Sequence, residues 1–168
     1  MGKPVGRATP AIAAAAAAGI AYEVHEYESD PRAPAYGLEA AEKLGLPPET
    51  VFKTLVAELD GATLAVAVIP VAEKLNLKAL AALAGAKRAE MADPAKAERS
   101  SGYVVGGISP LGQKRRLRSF VDETALLFDR VNVSAGRRGL EIALAPTDLV
   151  RLLDAVTGDL TVHREEKA

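Results

Sequence analysis

The sequence contains no cysteine and no tryptophan, and His25 and His163 are its two histidines. The absence of cysteine excludes disulfide bonds, thiolate metal ligands and a cysteine nucleophile. No HExxH-type spacing occurs, and no pair of carboxylates has a diagnostic spacing, so nothing in the pattern indicates a zinc centre. Neither histidine lies in a segment typical of a Ser–His–Asp triad. We therefore expect chemistry without a metal or another cofactor.

The sequence also lacks a large charge excess and a long apolar run. Its formal net charge is −1, so contacts with nucleic acid would have to come from a local basic patch. Residues 11–20 are apolar and follow two basic residues, as in a signal peptide, but they contain almost no Leu or Val. Thr9-Pro10 is instead typical of the start of a helix. We expect a soluble cytoplasmic protein without membrane association.

The 168 residues, 49% of them apolar, are enough for one domain with a proper core. The sequence mixes hairpin signals with short amphipathic helices, and strands and helices do not follow each other in a regular repeat. This pattern favours the α+β class, with a mixed, mostly antiparallel sheet and helices packed on it. We predict a single domain over residues 1–168, with its core at about 9–155.

The segment 51–59 alternates as a strand does and places Lys53 among apolar residues. An ammonium group in that position is costly unless it is paired, reaches solvent, or lies in the wall of a pocket. A lysine that extends to solvent near the strand end is the structural alternative. Asp60-Gly61 indicates a tight hairpin turn, and the apolar residues on both faces of 63–69 predict a central buried strand.

A second candidate region starts with an apolar segment, 103–108, which we predict to be a strand leading into a glycine loop, 106–112. Such a loop lets a backbone approach a ligand and supplies N–H donors. Its spacing resembles a P-loop, but Gln113 replaces the required lysine, which excludes nucleotide hydrolysis. The loop is followed by the densest basic run, which contains candidate phosphate contacts: Lys114, Arg115, Arg116 and Arg118. Arg137 and Arg138 could join that patch, although a charge run is often only a solvated surface.

The remaining segments predict a turn at 135–139, a strand at 140–144 and a final strand near 160–163. Ser134 and Glu141 would lie on the polar face of their strands, where exposure to solvent is the ordinary explanation. His25 falls in a segment with two mixed faces, which is typical of an edge strand.

Four segments together resemble the YbaK-type Cys-tRNA(Pro) deacylases of the aminoacyl-tRNA editing superfamily, which also includes the editing insertion of prolyl-tRNA synthetase. They are VFKTL at 51–55, EMADP at 90–94, RSSGYVVGGISPLGQK at 99–114 and VSAGRRGLE at 133–141. The third segment is highly specific, and the resemblance covers about residues 9–155. It implies an α+β editing fold with a barrel-like sheet.

The resemblance further implies hydrolytic removal of cysteine from mischarged Cys-tRNA(Pro), with the substrate thiol attacking its own carbonyl carbon. It makes Lys53 the catalytic residue and assigns substrate-binding roles to Tyr27, Tyr36, Thr54, Gly106, Ser134 and Glu141. Two of these, Tyr36 and Glu141, are larger than the family's usual Phe and Asp, which changes the expected pocket size. The implied partners are mischarged tRNA and prolyl-tRNA synthetase. Editing of another small amino acid, Ala or Ser, and a noncatalytic tRNA- or synthetase-binding module are the alternatives.

Overall fold

The computed structural model describes residues 9–32 and 36–163, with only the backbone of Tyr36. The helices in these residues are α1 (Pro10–Ala18), α2 (Tyr36–Leu44), α3 (Leu77–Ala84), α4 (Pro94–Ser101) and α5 (Pro146–Leu153). The strands are β1 (Tyr22–Glu26), β2 (Phe52–Leu59), β3 (Thr63–Pro70), β4 (Ala89–Met91), β5 (Arg118–Asp122), β6 (Val131–Arg137), β7 (Leu140–Leu144) and β8 (Val156–Gly158). None of the helices in this part of the chain is long and apolar enough to cross a membrane.

The strands form two sheets. One has the order β1-β7-β6 and is antiparallel, while the other has the order β4-β2-β3-β5-β8. In the larger sheet β5 pairs in parallel with both of its neighbours. A single parallel bridge between Val51 and Asn132 joins the sheets. The predicted α+β class with a mixed sheet is confirmed, and the term barrel-like describes this two-sheet arrangement only loosely.

The β2–β3 hairpin forms the centre of the larger sheet, as predicted. Asp60 and Gly61 both have positive φ, 52° and 63°, which is the backbone of a type I′ turn. Alternate residues point to two separate cores because side chains alternate along a strand. One core contains Phe52, Val66 and Val68 and lies against β6, β7, α1 and α5. The other lies beneath α3 and contains Ala57, Leu59, Ala65, Ala67 and Ile69.

The N-terminal helix begins where its sequence predicts. The Ile12 N–H donates to Thr9 Oγ1 at 3.2 Å, Pro10 takes the first helical position, and Gly19 ends the helix with φ 70°. Thr9 Oγ1 also donates to the Ala135 carbonyl at 2.6 Å. This cap therefore both starts α1 and fixes it to β6.

Three predictions about local structure are wrong. Residues 103–108 form a loop because Gly102 and Gly106 have φ of 83° and 100° and the Tyr103 hydroxyl donates back to the Leu111 carbonyl. Within the predicted turn at 135–139, β6 continues to Arg137 through an irregularity in its pairing with β7. The last strand, β8, lies at 156–158, and Thr161 forms only an isolated bridge with Leu75.

Candidate active site

A cavity of about 410 Å³ lies between the start of β2, helices α2 and α4, and the smaller sheet. It is on the face of that sheet opposite the core, because Leu140 and Ile142 point into the core and Glu141 points the other way. Its lining includes apolar side chains from several elements and six of the seven residues predicted for catalysis and substrate binding: Tyr27, Lys53, Thr54, Gly106, Ser134 and Glu141. The side chain of the seventh, Tyr36, lies outside the described residues.

Lys53 is the second residue of β2 and lies half-buried in the cavity wall. Its amine has no hydrogen-bond or ion-pair partner in residues 9–32 and 36–163. Burial lowers the pKa of Lys53 below its ordinary value, and the negative charge of Glu73 opposes that change. An amine of this kind can exchange a proton more readily than a solvated lysine, and in its charged form it can stabilise an oxyanion.

Two polar oxygens of the cavity are buried without a hydrogen-bond partner in the described part of the chain: Thr54 Oγ1 and Glu141 Oε1. Burial raises the pKa of Glu141 to about 8. The carboxyl group is therefore mostly protonated at neutral pH and can donate a hydrogen bond. Leaving such groups unpaired costs stability, so the cavity is prepared for a ligand with complementary polar atoms.

Glu141 is buried in the cavity wall, although the strand pattern alone favours exposure to solvent. Its neighbours across the sheet are Ser134 on β6 and His25 on β1. The face that carries Glu141 and Ser134 is covered because Val51 bridges to Asn132, whose side-chain amide donates to the Thr50 carbonyl at 3.2 Å. The start of the larger sheet thus covers a surface that the alternation of β7 alone predicts to be solvated. His25 lies on β1, an edge strand, as predicted.

The glycine loop contributes Gly106 and Ile108 to the cavity wall and is held in place through its backbone. Ser134 Oγ donates to the Gly107 carbonyl at 3.1 Å and accepts from the Gly136 N–H at 3.1 Å. A side chain at position 107 would place its Cβ 2.6 Å from Arg137 Cα, so only glycine permits this approach. Ser134 therefore holds the loop against the β6–β7 hairpin, and no histidine contacts its hydroxyl in the described residues.

The entrance is stabilised by a buried carboxylate that the sequence analysis missed. Glu39 on α2 accepts from the Asp30 N–H at 2.7 Å and pairs with Arg138 at 3.2 Å and Lys43 at 3.4 Å. Burial opposes its ionisation, but these hydrogen bonds outweigh burial and hold the pKa of Glu39 below its ordinary value. A helical Glu39–Lys43 spacing was the only sequence signal, and it resembles any surface pair.

The six basic candidates do not form one patch. Arg137 and Arg138 line the cavity and pair with Glu26 and Glu39. Arg118 donates to the Ala84 carbonyl at 3.0 Å and lies over the Phe120 ring, while Arg116 donates to the Leu152 carbonyl at 3.3 Å. Lys114 and Arg115 lie on a separate concave surface beside α4. Of the six candidates, only Lys114 and Arg115 have cationic groups that are exposed and have no partner within the described residues.

The cavity does not resemble a metal centre. No group of three or more His, Asp or Glu side chains that could hold a metal ion occurs in residues 9–32 and 36–163. Its polar groups are the Lys53 amine, three hydroxyls, the Glu141 carboxyl and the guanidinium groups of Arg137 and Arg138, which suit hydrogen bonding to an organic ligand.

The family profile of the aminoacyl-tRNA editing domain matches residues 32–152. The chain belongs to the aminoacyl-tRNA editing domain family. The protein EbsC of Enterococcus faecalis, provisionally named a Cys-tRNA(Pro)/Cys-tRNA(Cys) deacylase, is 38% identical over 121 residues, which cover 72% of this chain and 74% of EbsC. The resemblance on which the sequence analysis relied is thereby confirmed.

Solved structures agree with the fold of an editing domain. A crystal structure described provisionally as a trans-editing enzyme for prolyl-tRNA synthetase has a TM-score of 0.82 at 22% identity, covering 97% of this chain and all of that one. A hypothetical protein of known structure has a TM-score of 0.82 at 25% identity, covering 92% of this chain and all of that one. These similarities extend well beyond the residues that the family profile matches.

Proposed function

We propose that this chain is a trans-editing deacylase that removes cysteine from mischarged Cys-tRNA(Pro). The observation that carries the proposal is the Lys53 amine, which has no partner in the described residues and lies in the wall of a cavity that Thr54 and Gly106 also line. The named activity of EbsC and the description of the trans-editing structure support the same substrate class. We place the activity in the cytoplasm, with prolyl-tRNA synthetase as a second partner.

The resemblance to the Cys-tRNA(Pro) deacylases implies that the substrate's own thiol is the nucleophile, and the side chains of this chain are compatible with that chemistry. The chain has no cysteine, and the Ser134 hydroxyl is held by the loop backbone instead of a base. In the proposed step the sulfur of the substrate thiol attacks the aminoacyl carbonyl carbon, and the ester C–O bond breaks. The terminal ribose hydroxyl leaves with the proton that the thiol gives up, and cysteine leaves as a cyclic thioester. The attack is intramolecular, so the protein mainly supplies orientation.

Lys53 acts on the charge that develops in this step. An ammonium group beside the carbonyl oxygen stabilises the oxyanion, and the backbone of Gly106, which also lines the cavity, can assist. Thr54 and the protonated Glu141 can donate hydrogen bonds to the rest of the aminoacyl ester. The cavity volume of about 410 Å³ lies in the ~300–1,000 Å³ range of small-ligand sites. It leaves room for the amino acid together with the sugar that carries it.

A second sieve is required because cysteine and proline are similar in volume. An apolar pocket discriminates such pairs by only ~1–3 kcal/mol, so a synthetase cannot reject the wrong amino acid by size alone. An editing site that depends on the thiol avoids this limit, since proline has no nucleophilic side chain. Correctly charged Pro-tRNA(Pro) is then spared by chemistry even when it enters the cavity.

Single-turnover deacylation of a panel of aminoacyl-tRNAs tests the proposal. We expect fast release from Cys-tRNA(Pro) and very slow release from its S-methylated form and from Ala-tRNA(Pro). Loss of the nucleophile removes up to ~7–11 kcal/mol of intramolecular advantage, whereas a size difference changes binding by ~1–3 kcal/mol. Comparable rates on all three would refute thiol attack, faster release of Ala or Ser would reassign the substrate, and no release from any would leave a binding module.

A further inference from the structure

A second concave surface, of about 390 Å³, lies on the other side of α4 from the cavity. We call it the basic cleft, and its lining is Leu64, Lys96, Arg99, Ser100, Lys114 and Arg115. Lys96 and Arg99 belong to α4, which the sequence analysis did not connect with the basic run. The fold therefore brings together cationic side chains from α4 and from a loop that lies about a dozen residues later in the sequence.

The backbone fixes the two parts of the basic cleft to each other. The N–H groups of Lys114 and Arg115 donate to the carbonyls of Ser101 and Ser100, each at 2.9 Å. These carbonyls belong to the last turn of α4, where helix carbonyls otherwise lack partners. Gly102 ends the helix at φ 83° and leaves room for Lys114, whose Cβ would lie 3.3 Å from a side chain there. The positions of the cations are thus built into the fold.

The charges in the basic cleft are mostly uncompensated. Lys96 pairs with Glu58 at 3.0 Å, but Arg99, Lys114 and Arg115 are exposed and have no side-chain partner in residues 9–32 and 36–163. Like charges gathered on one concave surface repel each other and attract a polyanion. Arg116 and Arg118, in contrast, are used to bind backbone carbonyls within the protein.

One helix separates the basic cleft from the candidate active site. Pro94 and Ala97 on α4 line the cavity, while Lys96 and Arg99 line the basic cleft. A helix with its side chains is only ~10–12 Å across. A nucleic-acid strand whose terminal residue enters the cavity can therefore reach the basic cleft within its next few nucleotides by crossing α4.

We propose that the basic cleft binds backbone phosphates of the tRNA acceptor strand whose aminoacylated end occupies the cavity. Arg99, Lys114 and Arg115 make the phosphate contacts, and Lys96 contributes when it exchanges Glu58 for a phosphate. The choice of ligand rests on the proposed function, and the residues differ from the basic run predicted from the sequence. Arg116 and Arg118 lie outside this set.

The test measures binding of uncharged tRNA(Pro) as a function of salt, which does not depend on deacylation. The triple variant Arg99→Gln, Lys114→Gln, Arg115→Gln is compared with a control that removes three exposed lysines elsewhere, Lys74→Gln, Lys78→Gln and Lys87→Gln. Each phosphate contact contributes ~0.7–0.9 to the slope of log K against log salt, so the slope should fall by roughly 2–3 and affinity at about 0.1 M salt by roughly a hundredfold. The control should keep the wild-type slope.

A single Arg99→Gln variant should lower the slope by about 1, which tests a residue outside the basic run. An unchanged slope in the triple variant overturns the proposal. It is equally overturned if that variant keeps its tRNA affinity and loses binding to purified prolyl-tRNA synthetase, because the basic cleft is then a protein-binding surface. If the slope falls but no aminoacyl-tRNA is deacylated, the phosphate site stands and the proposed function fails.

Discussion

Replacing Glu141 by glutamine should make the protein's stability much less dependent on pH. Burial raises the pKa of this carboxyl to about 8, from an ordinary value of 4.5. The folded protein therefore binds one proton more than the unfolded chain between about pH 4.5 and 8. The free energy of unfolding is highest below this window and falls as the pH rises through it. The reason is that the unfolded chain releases the Glu141 proton to solution, whereas in the folded state the buried carboxyl retains it.

The size of the effect follows from that difference in proton binding. One extra proton in the folded state changes the free energy of unfolding by about 1.4 kcal/mol per pH unit. Between about pH 5 and 8 the wild-type protein should lose roughly 4 kcal/mol from this group. Glutamine has the same shape and no charge, so any cost of burying its amide is the same at every pH.

Urea unfolding of both proteins at several pH values between 5 and 8 measures this difference directly. Subtracting the two curves removes contributions from every other titrating group. The wild type should become less stable relative to Glu141→Gln by about 1.4 kcal/mol for each pH unit. Glu49→Gln, at an exposed carboxylate, controls for the chemical change itself. Parallel pH profiles for wild type and Glu141→Gln would show that Glu141 reaches solvent, and the reasoning would fail.

Three further outcomes are expected. Lys53→Ala should lower single-turnover deacylation by ~10²–10³ with little change in thermal stability, because it removes a preorganised charge donor; activity within threefold of wild type would contradict this role. Gly107→Ala should destabilise the fold by ~1–3 kcal/mol in urea unfolding, since its Cβ would meet the Arg137 backbone, and an unchanged midpoint would refute that packing. Thr54→Val should leave the fold stable, because its hydroxyl has no partner in the described residues, and should weaken substrate binding; a large loss of stability would instead reveal a hidden partner.

The sequence predicts best those elements that depend on local chemistry. The hairpin turn at Asp60-Gly61, the cap at Thr9 and the helix start at Pro94 all depend on residues within a few positions of each other. Residues 103–108 contradict their own apolar pattern, because two glycines with positive φ and a hydrogen bond from Tyr103 to Leu111 reshape the segment. Val104, predicted to lie in a strand, is 71% exposed.

Residue patterns alone indicate Lys53 and the glycine loop, but their grouping with Tyr27, Ser134 and Glu141 in one site was predictable only through the resemblance to an editing family. Nothing local to Glu141 indicates that residues 50 and 51, some 90 positions earlier, cover its side of the sheet. The same limit applies to the basic run, where charge density alone gives Arg118 and Arg115 equal weight. One is held by the Ala84 carbonyl and the Phe120 ring, and the other faces solvent beside α4. Such differences arise from long-range packing, which no short segment encodes.

The part of the cavity wall that the glycine loop forms also limits how the shape of the cavity can change during evolution. The Gly106 backbone lines the cavity and presents the same atoms whatever side chains surround it, and a Cβ at the adjacent position 107 is blocked by the Arg137 backbone. Point substitutions therefore cannot gradually reshape that side. The mouth is different, because Leu38, Met91 and Val105 are large apolar side chains that are 41%, 48% and 46% exposed. Exchanges there cost little stability, so a lineage of such proteins can change the amino acid it accepts while the reacting end of the cavity stays constant.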